Sequence, residues 1–299
     1  MTRIDRPSDD LHRDDVPSID LHCHSTASDG TLTPAQLVTA GAEAGLDVLA
    51  ITDHDTTGGW AAAAAARPEG LRLVRGAELS CRWFGGADYP IALHLLAYLF
   101  DPAEPRLAAD LVALRSDREQ RAEQIVERLR ADGVPITWAE VHGYAAGGSV
   151  GRPHIAQALI RAGLVATTNE AFASRWLGAR YFVPKSDLDV FEAVRAVREA
   201  GGVAVFAHPR ATVRGRVVPD RLIAELADAG LFGLEADHED HSAAERAHVR
   251  ALAEELGLVV TGSSDFHGTH KTVRLGAFQT APEAYEKIVS AATGVPVLG

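Results

Sequence analysis

Apolar and polar positions fall into alternating blocks along the chain, and the blocks predict an α/β order. Ser18 to His22 reads as a short strand, and Thr33-Pro34 supplies an N-cap and first-turn proline to a helix carrying Leu37, Val38 and Ala44 and stopping near Gly45. Val48 to Ile51 is the next strand, and the alanine run Ala61 to Ala66 reads as helix. Leu71 to Leu79 and Ile91 to Phe100 give two more strands, in which Glu78 and His94 are the polar exceptions. After Asp101-Pro102 the rhythm changes. Leu111, Leu114, Ile125 and Leu129 recur at helical intervals among charges, and further helical stretches follow the breaker Asp132-Gly133-Val134-Pro135 up to about Trp176. Alternation resumes with Ser186 as a cap, a helix through Val190, Val194 and Val197, and a strand from Val203 to Ala207. A helix over Asp220 to Ala229, a strand over Leu231 to Ala236, a helix over Ser242 to Leu256 and a strand over Leu258 to Gly262 complete the pattern.

This order divides the chain into a charged leader (1–16), expected to be disordered, a barrel formed by 17–102 and 186–299, and a helical insertion (103–185). A chain of 299 residues has ample length to bury such a core. With 29 Lys+Arg against 41 Asp+Glu, the formal net charge of -12 argues against a nucleic-acid binder that relies on a broad basic surface. A phosphate-bearing substrate must then be attracted locally. The two cysteines, Cys23 and Cys81, give no disulfide framework and read as buried free thiols. The leader lacks the apolar core of a signal peptide and no segment is apolar for long enough to cross a bilayer, so a soluble cytoplasmic protein without membrane or obligate protein partner is expected.

What changes this picture is where the polar residues fall. His22-Cys-His24, Thr52-Asp53-His54-Asp55, His94, Ala207-His208-Pro209 and Ser264-Asp265-Phe266-His267 lie where predicted strands end, the place where parallel barrels assemble their active sites. Residues two apart on an extended segment point the same way, so His22 and His24 can reach one ion. Imidazoles mixed with carboxylates suit Mn²⁺, Fe²⁺ or Zn²⁺, and clustered ions of this kind point to hydrolysis. His12, His142, His248 and His270 are read as ordinary core or surface histidines. Ser25, Ser263 and Ser264 lack the partners of a nucleophilic triad and read as capping or turn residues. Asp53 and Asp55 either orient a ligand or cap the following helix. Gly151-Arg152-Pro153-His154 at a helix start suits a phosphate, which makes Arg152 and His154 candidates for substrate binding. His238 and His241 either protonate a leaving oxygen or lie at the surface, and the aromatics, Phe182 included, are assigned to packing before stacking on a base.

With Ser28-Asp29-Gly30 and Gly76-Ala-Glu78 added to these motifs, the chain resembles the polymerase and histidinol phosphatase (PHP) family of metal-dependent phosphoesterases, over almost everything except the leader and part of the insertion. The resemblance implies a distorted (β/α)7 barrel with two or three divalent ions, Mn²⁺ first and Fe²⁺ or Zn²⁺ as alternatives. It places His22, His24, Glu78 and Asp265 on one ion, Glu78, His94 and His208 on a second, and Asp29, His54 and His267 on a third. A hydroxide bridging such ions attacks phosphorus in line. The insertion is similar to that of nucleoside 3′,5′-bisphosphate phosphatases, a group that includes 5′-to-3′ exoribonucleases acting on short RNA. The same resemblance supports Arg152 and His154 and adds Lys185 as a phosphate contact, against its reading as a solvated linker residue. Arg210 could hold a second phosphate, although His208-Pro209-Arg210-Ala211 departs from the family's usual glycine after His-Pro.

The leading expectation is hydrolysis of the 3′-phosphate of a nucleoside 3′,5′-bisphosphate, with a nucleotide or short oligoribonucleotide as substrate and no long nucleic acid. A 5′-to-3′ exoribonuclease on short 5′-phosphorylated RNA and a histidinol-phosphate phosphatase are the enzyme alternatives. A non-catalytic metal-holding domain is the alternative from another class.

Overall fold

The computed structural model describes residues 16–85, 90–145 and 147–299. The leader expected at 1–16 lies, except for Val16, outside the described residues. Among the described residues, eight strands form one sheet: β1 (Ile19–Cys23), β2 (Val48–Ile51), β3 (Arg72–Trp83), β4 (Ile91–Tyr98), β5 (Leu188–Asp189), β6 (Val203–Phe206), β7 (Gly233–Asp237) and β8 (Val259–Gly262). Ten α-helices among the described residues accompany them, α3 to α6 in succession: α1 (Pro34–Glu43), α2 (Trp60–Ala66), α3 (Pro105–Ala131), α4 (Trp138–Tyr144), α5 (Arg152–Arg161), α6 (Thr168–Ala171), α7 (Val190–Glu199), α8 (Asp220–Ala229), α9 (Ala243–Leu256) and α10 (Pro282–Ala291). No helix among the described residues is long and apolar enough to cross a membrane.

The strand order is β1-β2-β3-β4-β6-β7-β8, with β5 added to β3. Beyond β8 the chain closes the sheet on β1: His24 N donates to Phe266 O at 2.9 Å and Phe266 N to His22 O at 3.3 Å. This is the distorted (β/α)7 barrel of the PHP type. The distortion comes from β4, which runs antiparallel to both β3 and β6. The all-strand-end placement read from the sequence is corrected here. Glu78 and His94 sit inside β3 and β4, where pairing of Ser80 with His94 and of Glu78 with Leu96 puts all four on one face.

Strand alternation divides the core. Val48, Ala50, Val74, Leu96, Val203 and Val205 fill the barrel interior, which Ala284, Tyr285 and Ile288 of α10 join. Leu49, Ile51 and Leu73 face outward into the shell core that includes Leu37 and Val38 of α1 and Trp60 and Ala63 of α2. Both faces of these strands are therefore apolar, which is why β2 reads as an unbroken hydrophobic run. The insertion has its own core, from Ala122 to Val183. Helix α3 belongs to both: Leu107 and Leu111 pack on the barrel, and Ala122, Ile125, Val126 and Leu129 on the insertion.

Caps fix the helix starts. Thr33 and Gln36 form a capping box under Pro34, and Ser242 and Glu245 do the same for α9. The cap of α7 is Asp189, whose side chain accepts from Phe191 N and Glu192 N, and not Ser186, whose N–H bonds Asp117 at 3.1 Å. The sequence reading also passed over α10 and the two-residue β5.

Candidate metal centre

At one end of the barrel, nine side chains from six segments converge. His22 and His24 leave β1, Asp29 follows in the next turn, His54 follows β2, Glu78 and His94 come from β3 and β4, His208 follows β6, and Asp265 and His267 follow β8. Among the described residues, four non-glycine residues have positive φ, and three of them, Asp55, His208 and Asp265, lie in these loops. Strain of this kind costs about 1–3 kcal/mol per residue and persists only where the surroundings enforce it. Close packing contributes at Gly30, where a Cβ would come within 2.4 Å of His24 O.

His22 Nε2 and His24 Nε2 are 3.1 Å apart. Glu78 Oε2 lies 3.2 and 3.1 Å from them, and Asp265 Oδ1 lies 3.3 Å from both. A point equidistant from atoms so spaced is about 2 Å from each, the length of a zinc–nitrogen or zinc–oxygen bond. Two further groups lie beside this one, His24, Asp29, His54 and His267, and His54, Glu78 and His94, each with ligand atoms within 4.8 Å of one another. His94 groups with His54 and Glu78, and His94 Nδ1 and His208 Nε2 both meet Glu78 Oε1, at 2.8 and 3.1 Å. Buried His54 Nδ1, His94 Nδ1 and Asp265 Oδ1 lack well-formed hydrogen bonds, although the first two lie 3.2 and 2.8 Å from the Glu78 carboxylate and the third 3.3 Å from His22 and His24 Nε2. Unpaired lone pairs gathered in one buried cup fit divalent cations and little else.

Charge balance leads to the same conclusion. Burial opposes ionisation of Glu78 and Asp265, yet His54 and His94 around the first, and Lys271 and His22 around the second, hold both carboxyls well below their ordinary range. Burial also opposes charge on His22 and His24, but Asp265 and Glu78 outweigh it, raising His22 well above the usual imidazole value and His24 to about 9. His54 goes the other way because burial dominates, as it does for His208 with Arg214 beside it. A concentration of buried carboxylates needs positive partners, and cations supply them without protonating the ligands.

Around the cup, other residues fix its members. Asp53 accepts from Ser25 N at 2.8 Å, Ser25 Oγ at 2.7 Å and Ser28 Oγ at 2.7 Å, so it secures the turn between His24 and Asp29. Asp55 does the same for Ser80, accepting from its N–H and hydroxyl, and also binds Arg118 of α3. Glu235, fully buried on β7, was missed as a site residue: Oε1 accepts from His22 Nδ1 at 3.0 Å and Oε2 from His208 N at 2.9 Å. A lone acid inside a predicted strand was its one sequence signal. His238, Arg214 and Lys271 all bind Asp265 Oδ2. His270 is a part-buried histidine whose Nδ1 donates to Asp29 O at 2.9 Å.

A cleft of about 1360 Å³ runs from Asp29, His54, Glu78, His208 and Asp265 to Arg121, Arg152 and Lys185 of the insertion, with Arg214 and Lys271 on its wall. Burial, with Asp187 partly offsetting and Arg118 adding to it, lowers the pKa of Lys185, and burial brings Arg121 down to about 10. His154 Nδ1 accepts the Gly151 N–H at 3.0 Å, which leaves Nε2 for a ligand. Two expectations need correction. His241 cannot serve as an acid: Nδ1 donates to Ala236 O at 2.8 Å and Nε2 accepts from Arg210 N at 3.0 Å. Arg210 does not itself line the cleft, because its guanidinium is engaged by Val218 O and Asp220.

A barrel with a buried cup of imidazoles and carboxylates opening into a cationic cleft defines a metal-dependent phosphoester hydrolase. The chain belongs to the PHP family: residues 20–101 match the PHP domain. A 5′-3′ exoribonuclease of Haemophilus influenzae is 35% identical over 261 residues, 86% of this chain and 92% of the relative. A 3′,5′-nucleoside bisphosphate phosphatase of Chromobacterium violaceum is 35% identical over 260 residues, 84% of this chain and 88% of that protein. Among solved structures, a Bifidobacterium adolescentis protein assigned as a metal-dependent phosphoesterase aligns with a TM-score of 0.86 at 35% identity, over 93% of this chain and 98% of the other. With the enzyme class established, the non-catalytic alternative is set aside.

Proposed function

We propose that this enzyme hydrolyses the 3′-phosphate of a nucleotide whose 5′-phosphate is anchored in the insertion, a nucleoside 3′,5′-bisphosphate being the simplest substrate. The observation that carries this reading is the single cleft joining the metal cup to Arg121, Arg152 and Lys185. Two separated phosphate-binding regions in one cleft suit a substrate with two phosphates.

In this reading His22, His24, Glu78 and Asp265 hold one ion, Asp29, His54 and His267 another, and Glu78 with His94 and His208 a third, with Mn²⁺ as the first choice and Fe²⁺ or Zn²⁺ as alternatives. Such ions, when bound, supply an activated water and neutralise phosphoryl oxygens. Glu235 keeps His22 oriented, Asp53 keeps the Asp29 turn in place, and Arg214 and Lys271 meet the phosphoryl group from the cleft wall. Arg152 and Lys185 fix the far phosphate and so place the 3′-phosphate over the cup. The insertion, 103–185, acts as the recognition unit of the barrel.

A second reading rests on the volume of the cleft. At about 1360 Å³ it exceeds the ~300–1,000 Å³ of an ordinary small-molecule pocket. The same attack, breaking the P–O3′ bond of a 5′-phosphorylated first nucleotide, makes the enzyme a 5′-to-3′ exoribonuclease when more nucleotides follow. The test is kcat/KM of the manganese-loaded protein on adenosine 3′,5′-bisphosphate, a 5′-phosphorylated oligoribonucleotide and histidinol phosphate. Either nucleotide outranking histidinol phosphate supports the proposal. Preference for histidinol phosphate overturns it.

A further inference from the structure

The strand-like return of the insertion, Tyr181 to Lys185, alternates sharply. Tyr181 and Val183 are each 5% exposed and belong to the insertion core, whereas Phe182 between them is 52% exposed and lines the cleft. Sequence reasoning assigns such an aromatic to packing, and here the structure leaves its ring uncovered. Its backbone is held on both sides: Phe182 O accepts from Arg128 Nη1 at 2.7 Å, Val183 O from Arg121 Nε at 2.8 Å, and Tyr181 hydroxyl donates to Asp132 Oδ2 at 2.8 Å. The ring therefore stands on a fixed platform.

The other phenylalanine on this wall is already engaged. Arg152 lies over Phe172, its guanidinium carbon 5.2 Å from the ring centroid, while no cation covers Phe182 among the described residues. An open aromatic face a few residues from Lys185, beside Arg121 and Arg152, suits a ligand with a flat apolar part joined to an anion. In a chain of net charge -12 those cations are a local exception, and they restrict the anion to their side of the cleft.

We propose that Phe182 is the stacking surface for the base of the bound nucleotide. This deepens the nucleotide reading and rests on it. Every base has a π face, so the subsite favours a nucleotide over its base-free sugar phosphate without choosing among bases.

The test compares AMP with ribose 5-phosphate, by calorimetric titration of the full-length manganese-loaded protein, in wild type, Phe182→Ala and Phe182→Trp, with turnover of adenosine 3′,5′-bisphosphate measured in parallel. Wild type is expected to bind AMP about tenfold or more tighter than ribose 5-phosphate, the size of one stacking contact. Phe182→Ala should bring AMP down to the sugar phosphate and raise KM for the bisphosphate, and Phe182→Trp should restore the difference. An unchanged AMP to ribose 5-phosphate ratio in Phe182→Ala, or no difference in wild type, overturns the subsite and leaves the nucleotide reading intact if the bisphosphate is still hydrolysed. Failure of wild type to hydrolyse any nucleotide sinks the underlying reading instead.

Discussion

Glu235 Oε1 accepts the Nδ1 hydrogen of His22 at 3.0 Å, with both side chains fully buried. That bond orients the ring so that Nε2 faces the space it shares with Glu78 Oε2 and Asp265 Oδ1, where a bound ion would take its lone pair. The other oxygen of Glu235 holds the backbone of His208, so one carboxylate on β7 orients contributions from two other strands. Glu235→Gln should weaken metal binding by about 10–100-fold. Manganese titration measures this directly, and excess ion should recover much of the activity. Unchanged affinity would show that the contact has no hold over the cup.

His22→Ala and Asp265→Ala are expected to reduce turnover by at least about a thousandfold while circular dichroism remains close to wild type. The cup lies at one end of the barrel, and the main core is built by other residues. Near-normal activity in either variant counts against the proposed ligand set.

Removal of divalent ions with a chelator should abolish activity and lower the melting temperature by several degrees, and Mn²⁺ should reverse both. An ion at a hundredfold excess over its Kd contributes about 2.7 kcal/mol to stability. A melting temperature indifferent to both chelator and ion would contradict a cup that needs cations to balance its carboxylates.

The amine of Lys185 has its pKa lowered, burial being the main cause. Its proton is lost from the folded enzyme at a lower pH than from a free lysine, and with it the charge on which the proposed phosphate contact depends. KM should therefore rise as pH passes upward through that lowered pKa, and Lys185→Arg should flatten the rise. The sign for folding is opposite: between the two pKa values the unfolded chain binds more protons, so this group's unfavourable contribution shrinks as pH increases. A KM profile identical in wild type and Lys185→Arg would remove Lys185 from substrate binding.

Much of the barrel was legible because its strands and helices carry their own period. Val48 to Ile51 matched to the residue, and helix α8 did so as well. The reversal of β4 was not legible, since antiparallel and parallel strands buried on both faces have the same apolar pattern. Metal-ligand candidates stood out because histidines and acids interrupt apolar runs. Glu235 did so only once, without a histidine beside it in the strand, and its role depends on His22, 213 residues away in sequence. His241 misled for the converse reason. Its residue type suits chemistry, but backbone groups bind both its ring nitrogens, and nothing in the sequence records which way an imidazole turns.

Helix α3 begins against the barrel and ends inside the insertion, with Arg118 tied to Asp55 and Arg121 to Val183 along the way. A single rod with both anchorages transmits tilt. If the insertion is the selectivity end, as proposed, substitutions that remodel it will disturb the cup unless they keep the rod's pitch, so specificity in this scaffold should drift through side-chain exchange on the far shelf and not through lengthening or shortening of the rod itself.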